Sequence, residues 1–404
     1  MIVRLFSTAL LAVCSLTLMA QTTANDVLST ARLANNYFMQ KYKDPTVPTN
    51  VKKIRPSSLW TRAVYYEGLM ALQRIDPQKS YVNYAMTWAR FHQWTPRNGV
   101  NTCDADDQCC GQTYIELMPY SDLPRETHLE KLRENLEHQM VTPNDKSSGK
   151  TRINSDDATS KAGSLYGWWT WIDAIQMAMP LYVQMYKETD DHRYLDHAMK
   201  MYRWSRNECG RTEGNPKLGL FNVNEGLWWR DADYVPPYKE PDGQQCYWSR
   251  GNGWVYAALV RCMELLPKDS KEYKELKKDF MLMSTALLKC QREDGFWNPS
   301  LVSTNYAMPE TSGTALFLYG FAWGMRQGYL KTKLYRPAAD RAWQAMVRDA
   351  VHPDGFLGWM QGTGKDPSAG QPLSYTRIPD FEDYGTGCFL LGATEYYKLL
   401  KNEK

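Results

Sequence analysis

The sequence predicts an all-α chain closed into an (α/α)6 barrel of six helical hairpins. Three observations carry this expectation. Apolar residues recur at helical rather than strand spacing along almost the whole chain. The helical segments alternate between two kinds, one with a polar face and one apolar nearly all round. No stretch rich together in Ser, Gly and Pro divides the 404 residues, although that length alone would allow two or three domains. An open superhelical stack of hairpins is the other arrangement these segments permit.

Residues 1–24 read as an export leader. Arg4 is followed by an apolar run from Leu5 to Ala20, and small residues recur at Ala20 and Ala24. That is a positive start, a short apolar core and a small-residue cleavage region; a buried first helix is the competing reading. The run is too short to span a bilayer, and no later segment suggests a span. Residues 25–404 are then one catalytic barrel domain, periplasmic or secreted and expected to act as a monomer.

Twelve helical segments follow, at about 26–43, 57–74, 80–94, 111–120, 124–140, 167–188, 192–208, 252–266, 271–291, 312–327, 333–350 and 383–400. The odd-numbered ones are charged and amphipathic, as in Leu129-Glu-Lys-Leu-Arg-Glu-Asn-Leu-Glu-His138. The even-numbered ones, such as Trp168–Met179 and Thr314–Trp323, have no wet face and must be buried. Inner helices that all come second in their hairpins run parallel, so their N-termini gather at one end. The converging partial positive charges favour an anion there, such as a uronic carboxylate.

Composition excludes several classes of function. A net charge of +3 is too small to imply nucleic acid or a membrane surface. No CxxC pair, HExxH, phosphate loop or GxSxG elbow occurs, and His192 and His197 do not share a helix face. No metal and no cofactor are expected. Fifteen Trp and 26 Tyr bring aromatic content to 13% with Phe, which leans toward carbohydrate because sugar C–H faces stack on such rings. Cys103, Cys109 and Cys110 lie close enough for one local bridge, with buried free thiols the alternative.

Asp173 is the first candidate for chemistry. It sits in Trp171-Ile-Asp-Ala-Ile-Gln-Met177, among apolar neighbours. Burial there raises a carboxyl pKa and suits it to general acid work, unless the side chain only caps the helix or pairs with an Arg. Asp106 offers a second carboxylate, crowded by Asp104 and Asp107, which could equally be solvated loop acids. In Trp248-Ser-Arg250-Gly-Asn-Gly-Trp254, Arg250 presents a fork suited to a carboxylate, and Trp248 and Trp254 can flank a sugar ring. Alternatively, Arg250 ties loops together through backbone carbonyls. Trp228, Trp229 and Arg230 lie on a loop that could line the pocket or pack as surface aromatics. Trp171 flanks Asp173, and Met177 follows one turn later, by itself more often a core residue than a site residue.

These stretches, with Glu310-Thr-Ser-Gly-Thr-Ala315 and Tyr384-Gly-Thr-Gly-Cys-Phe-Leu-Leu391, resemble glycoside hydrolase family 105, the unsaturated rhamnogalacturonyl hydrolases. The likeness runs from about Trp60 to Leu399. Family 88 looks similar, but its members typically lack the Asn252-Gly-Trp254 part of the motif. The resemblance implies an (α/α)6 barrel and an oligosaccharide substrate whose terminal uronic acid carries a C4–C5 double bond. It aligns Asp173 with the catalytic acid, Asp106 with the second acid, and Trp248, Arg250 and Trp254 with substrate-binding residues. A His often found on the loop before the Trp248 motif is absent here, where Leu227–Asp233 stands, and another is absent around Ser160–Gly163. Both absences bear on which sugar is recognised. A conventional acid/base glycosidase and a non-catalytic glycan-binding protein are the other functions this sequence admits.

Overall fold

The computed structural model describes residues 22–50, 54–141, 167–210, 215, 217–379 and 382–402. The expected leader falls mostly on residues 1–21, outside the described residues. Its last residue, Ala24, opens the first helix. Thr23 caps α1 (Ala24–Lys41) in a reciprocal box, its hydroxyl accepting from the Asp26 N–H while Asp26 accepts from the Thr23 N–H at 2.8 Å.

Six inner helices close a ring. They are α2 (Trp60–Ile75), α5 (Cys110–Glu116) with the short α4 (Ala105–Gln108) before it, α7 (Asp173–Thr189), α9 (Ser249–Met263), α11 (Thr311–Arg326) and α13 (Asp383–Asn402). Each packs on the next, and α13 returns to α2. Outside them lie α3 (Lys79–Phe91) on α2, α6 (Arg125–Val141) on α5, α8 (His192–Asn207) on α7, α10 (Lys271–Lys289) on α9, α12 (Thr332–Asp349) on α11, and α1 on α13. The barrel is therefore closed, not an open stack.

The two kinds of helix bury what their sequences dictate. In α6 the buried residues are His128, Leu129, Leu132, Asn135, Leu136 and Gln139, a single stripe at three- and four-residue spacing. Every residue of α9 is buried, and every residue of α11 except Arg326. Strand structure among the described residues is confined to two-residue ribbons: β1 (Thr49–Asn50) with β2 (Ile54–Arg55), and β3 (Phe221–Asn222) with β4 (Leu227–Trp228).

Two devices let inner helices pack tightly. At the seam between first and last, a Cβ on Gly68 would fall 2.5 Å from the Gly387 carbonyl oxygen, and one on Gly387 would fall 2.2 Å from that of Val64. The backbones meet directly there, which only glycine permits. In α7, Pro180 lacks the N–H that would reach the Gln176 carbonyl. Gln112 supplies it from α5, its Nε2 donating to the carbonyls of Gln176 (2.9 Å) and Met177 (3.0 Å).

The inner helices run parallel. Trp60, Asp173, Ser249, Thr311 and Asp383 open them at one end. At the other end Arg74, Glu116, Gln184, Arg261, Gln327 and Lys398 share a cavity of about 760 Å³. Between the ends lies a buried acid, Glu67, which accepts from Gln176 Nε2 (2.7 Å) and Cys109 Sγ (3.4 Å) and faces Arg261 at 3.6 Å. Burial pushes its carboxyl up to about 7, against the pull of Arg261.

Three expectations change. The segment at 111–120 is not one helix but α5 followed by a 3-10 turn at Met118–Tyr120, with the short α4 standing before it. The segment at 167–188 becomes helical only at Asp173, because residue 171 pairs with residue 231 instead. No disulfide joins any of the eight described cysteines, so no bridge links Cys103, Cys109 and Cys110.

Candidate active site

Asp173 is the first residue of α7, at the barrel end where the inner helices begin. Its side chain is buried, and its Oδ2 accepts no hydrogen bond among the described residues. Burial raises its pKa; the Arg230 and Arg250 charges oppose that rise and the Asp231 charge adds to it. The start of a helix favours the ionised form by about 0.3–1 kcal/mol, rising to about 2 kcal/mol in partly buried settings, and removal from water outweighs it here. The cap role is not what occupies this carboxyl.

The segment bearing Arg230 is tied to Asp173 by backbone. The Ile172 N–H donates to the Arg230 carbonyl at 2.9 Å, and Trp171 bridges Asp231. Asn252 fixes the same segment from the other side: its Oδ1 accepts the Trp228 N–H (2.8 Å), and its Nδ2 donates to the Trp228 (3.0 Å) and Trp248 (2.9 Å) carbonyls. This explains the Asn of the Trp248–Trp254 stretch, since both amide ends are needed. The Arg230 guanidinium then lies between two acids, with Nη1 2.5 Å from Asp231 Oδ2 and Nε 3.4 Å from Asp173 Oδ2.

Arg250 adopts the loop-tying arrangement. It is wholly buried, with Nη1 donating to the Gln361 carbonyl (3.1 Å) and Nη2 to the Gly362 carbonyl (2.9 Å). Its guanidinium carbon sits 4.5 Å from the Trp248 ring centroid and 5.0 Å from that of Tyr384. The fork read from the sequence as a carboxylate clamp is thus committed to backbone, though each terminal nitrogen keeps a second N–H. Its charge still reaches Asp173. A Cβ at Gly251 would lie 2.8 Å from the Trp248 ring and 3.0 Å from Ile172, so glycine is what lets these neighbours close around the start of α9.

The aromatic residues divide. Trp248 Nε1 donates to Gln361 Oε1 (2.8 Å), and Trp229 Nε1 donates to Gln245 Oε1 (3.0 Å). Trp171, Trp229, Trp248 and Trp254 are all buried, and Trp254 meets Trp60 edge-on at 6.2 Å. Trp228 belongs to the core, stacked on Phe221. Met177 is also core, one turn below Asp173. Trp60, which no sequence motif singles out, is only half-buried and lies against Tyr384 at 5.3 Å.

Asp106 lies in the first turn of α4, which packs on α7 and so shares the Asp173 end. Its N–H donates to Asp104 Oδ1 at 2.9 Å, and its side chain is half-buried. Its neighbours are not solvated loop acids. Asp107 is buried, accepting from Thr102 (2.6 Å) and Asn98 (3.0 Å) and facing Arg97 at 3.4 Å. Burial and the Asp104 charge raise its pKa to about 7. Asp231, Gln361 and Glu310 were not named as site residues from sequence. Glu310 is the buried cap of α11, accepting from the Ser312 (3.0 Å) and Gly313 (2.6 Å) N–H groups.

With this geometry in place, known proteins resolve the family. The model described as Glycosyl Hydrolase Family 88 matches residues 30–400. The chain belongs to this family. The separation from family 88 that Asn252-Gly-Trp254 suggested is not one this model draws, and the likeness to family 105 holds within the match. An "Unsaturated 3S-rhamnoglycuronyl hydrolase" of Formosa agariphila is 30% identical, over 84% of each chain. A protein of the same name from an Alteromonas species is 32% identical, over 85% of this chain and 78% of its own. The solved "Glycosyl hydrolase family 88 from Bacteroides vulgatus" superposes with a TM-score of 0.76 at 29% identity, over 94% of this chain and all (100%) of that one. Among the described residues, no three His, Cys, Asp or Glu side chains gather as a metal site, and no helix is long and apolar enough to cross a membrane.

Proposed function

We propose that this glycoside hydrolase removes a terminal 4,5-unsaturated uronic acid from lyase-generated oligosaccharides by hydrating the C4–C5 double bond, with Asp173 as the acid. The ring oxygen makes that double bond an enol ether, so C4 is the nucleophilic carbon. Asp173 gives its proton to C4, and positive charge develops at C5 and the ring oxygen. Water adds to C5 and returns a proton to the carboxylate. The hemiketal opens to a C5 ketone, C1 becomes a hemiacetal, and the aglycone leaves with one water consumed.

The observation that carries the reading is a buried carboxyl, raised in pKa, whose Oδ2 carries no hydrogen bond at the mouth of the ring. An acid that must protonate carbon benefits from staying neutral near pH 7. Asp106 is the second acid in this reading, placed to act on the water or on the sugar hydroxyls. Arg230, Trp171, Trp229, Trp248 and Trp254 form the walls around the uronyl ring, with Arg250 behind them fixing the loop at Gln361 and Gly362 and Met177 in the core below.

The two curated relatives make a 3S-rhamnoglycuronyl oligosaccharide the first substrate to try. The chain is exported by its leader and works as a monomer. The test follows the alkene ultraviolet band on lyase products. The parent abolishes the band and Asp173→Asn leaves it intact. Cleavage of saturated oligosaccharides with the band untouched would instead identify a conventional glycosidase.

A further inference from the structure

We infer that Asp231 is a positioning residue: it captures the guanidinium of Arg230 and so withholds from Asp173 the counter-ion that would take its proton away. The inference rests on the acid role proposed for Asp173.

Among the described residues, Arg230 lies against two buried carboxyls at this corner, Asp173 and Asp231. Arg230 Nη1 touches Asp231 Oδ2 at 2.5 Å, while its Nε stays 3.4 Å from Asp173 Oδ2 and makes no hydrogen bond to it. Asp231 is the more deeply buried acid, and its Oδ1 accepts the Asp233 N–H at 2.8 Å, which fixes the carboxyl plane. The Ile172–Arg230 hydrogen bond and the bridge between residues 171 and 231 tie the start of α7 to the segment that carries Arg230 and Asp231, so the unequal distances are held by the backbone.

The other charges around Asp173 do not replace this arrangement. Arg250 of α9 acts on it, but its terminal nitrogens are bonded to the Gln361 and Gly362 carbonyls. The short α4, packed on α7, brings Asp104, Asp106 and Asp107, which are acids and cannot serve as counter-ions. Among the described residues, Arg230 is therefore the cation best placed to ionise Asp173, and Asp231 is the carboxyl paired with it. An arginine beside a buried acid lowers that acid's pKa by one to several units when nothing competes for it. A general acid whose pKa falls well below the working pH is lost.

The experiment is the pH dependence of kcat on unsaturated oligosaccharide for the full chain. Asp231→Asn leaves the shape nearly unchanged but releases Arg230. The pH above which kcat falls should move down by at least one unit, with at least a tenfold loss at pH 7 that recovers near pH 5. Arg230→Gln should move the same limb up, because Asp231 then faces Asp173 without its cation. The double variant should lie at or above the parent. An Asp231→Asn profile scaled equally at every pH, or a double variant as shifted as the single, overturns the inference. So does an Arg230→Gln limb that stays put or moves down, which keeps the test valid even if Asp231→Asn fails to fold. Asp173→Asn separates the two levels. If that variant is active, the acid assignment itself is wrong. If it is inactive while the Asp231→Asn limb is unmoved, only the role of Asp231 is wrong.

Discussion

Replacing Arg250 by Met is expected to cost stability first and substrate affinity second. The guanidinium has no solvent exposure, donates to two carbonyls at 3.1 and 2.9 Å, and lies over two aromatic rings. Methionine fills much of the volume but donates nothing. The Gln361 carbonyl keeps one partner, the Tyr384 hydroxyl, whereas the Gly362 carbonyl loses the Arg250 donor. Hydrogen bonds from a charged donor contribute roughly 1.5–3 kcal/mol each net, and contact with ring faces adds about 0.5–1 kcal/mol or more. Relief from burying a cation returns part of this, leaving a loss of about 4 kcal/mol. Urea unfolding with an unchanged slope measures it directly. Arg250→Lys should recover less than half, since one ammonium cannot span two carbonyls and stack between two rings. If Arg250→Met unfolds within about 0.5 kcal/mol of the parent while KM rises sharply, the fork is available to substrate and the loop-tying account is wrong.

Two further outcomes are expected. Glu67 in the folded chain holds its proton up to about 7, against 4.5 for an ordinary glutamate. Between those pH values the folded state alone keeps that proton, so stability falls as pH rises, by about 3 kcal/mol across the window. Glu67→Gln should flatten that slope in denaturation series at pH 4.5 and pH 7; an unchanged slope would assign it to other groups such as Asp107. At the N-terminus, a leader cut after Ala24 would discard the Thr23 cap, which contributes about 1 kcal/mol. A chain beginning at residue 25 should therefore be about 1 kcal/mol less stable in urea unfolding than one beginning at Gln21, and equal stability would contradict the cap's role.

The barrel was legible because its two kinds of helix differ in polarity all the way along. The all-buried α9 and α11 and the striped α6 could each be assigned a layer from their own residues. Local pattern failed where tertiary packing outweighed propensity. Ser249-Arg-Gly-Asn reads as a poor helix start, yet it forms the first turn of α9 because Gly251 fits between Trp248 and Ile172. The acid at 173 was visible as one polar residue in a greasy stretch. What surrounds it was not. The partners of Arg250 lie 111 and 112 positions away. Asp231 stood beside Arg230 in plain view, but adjacency does not reveal that one side chain grips the other while both hang from residues 171 and 172. Trp60 gave no signal, since its place against Tyr384 and Trp254 exists only once the ring has closed.

The glycine seam between α2 and α13 sets the order in which this protein can be completed. Residue 68 waits for residue 387, so a growing chain holds an apolar helix uncovered until nearly the last codons have been translated. Products truncated before α13 lack both the wall that α1 leans on and the neighbour of α11. They present sticky surface rather than a smaller barrel, and binding factors or export while unfolded would protect them in the interval.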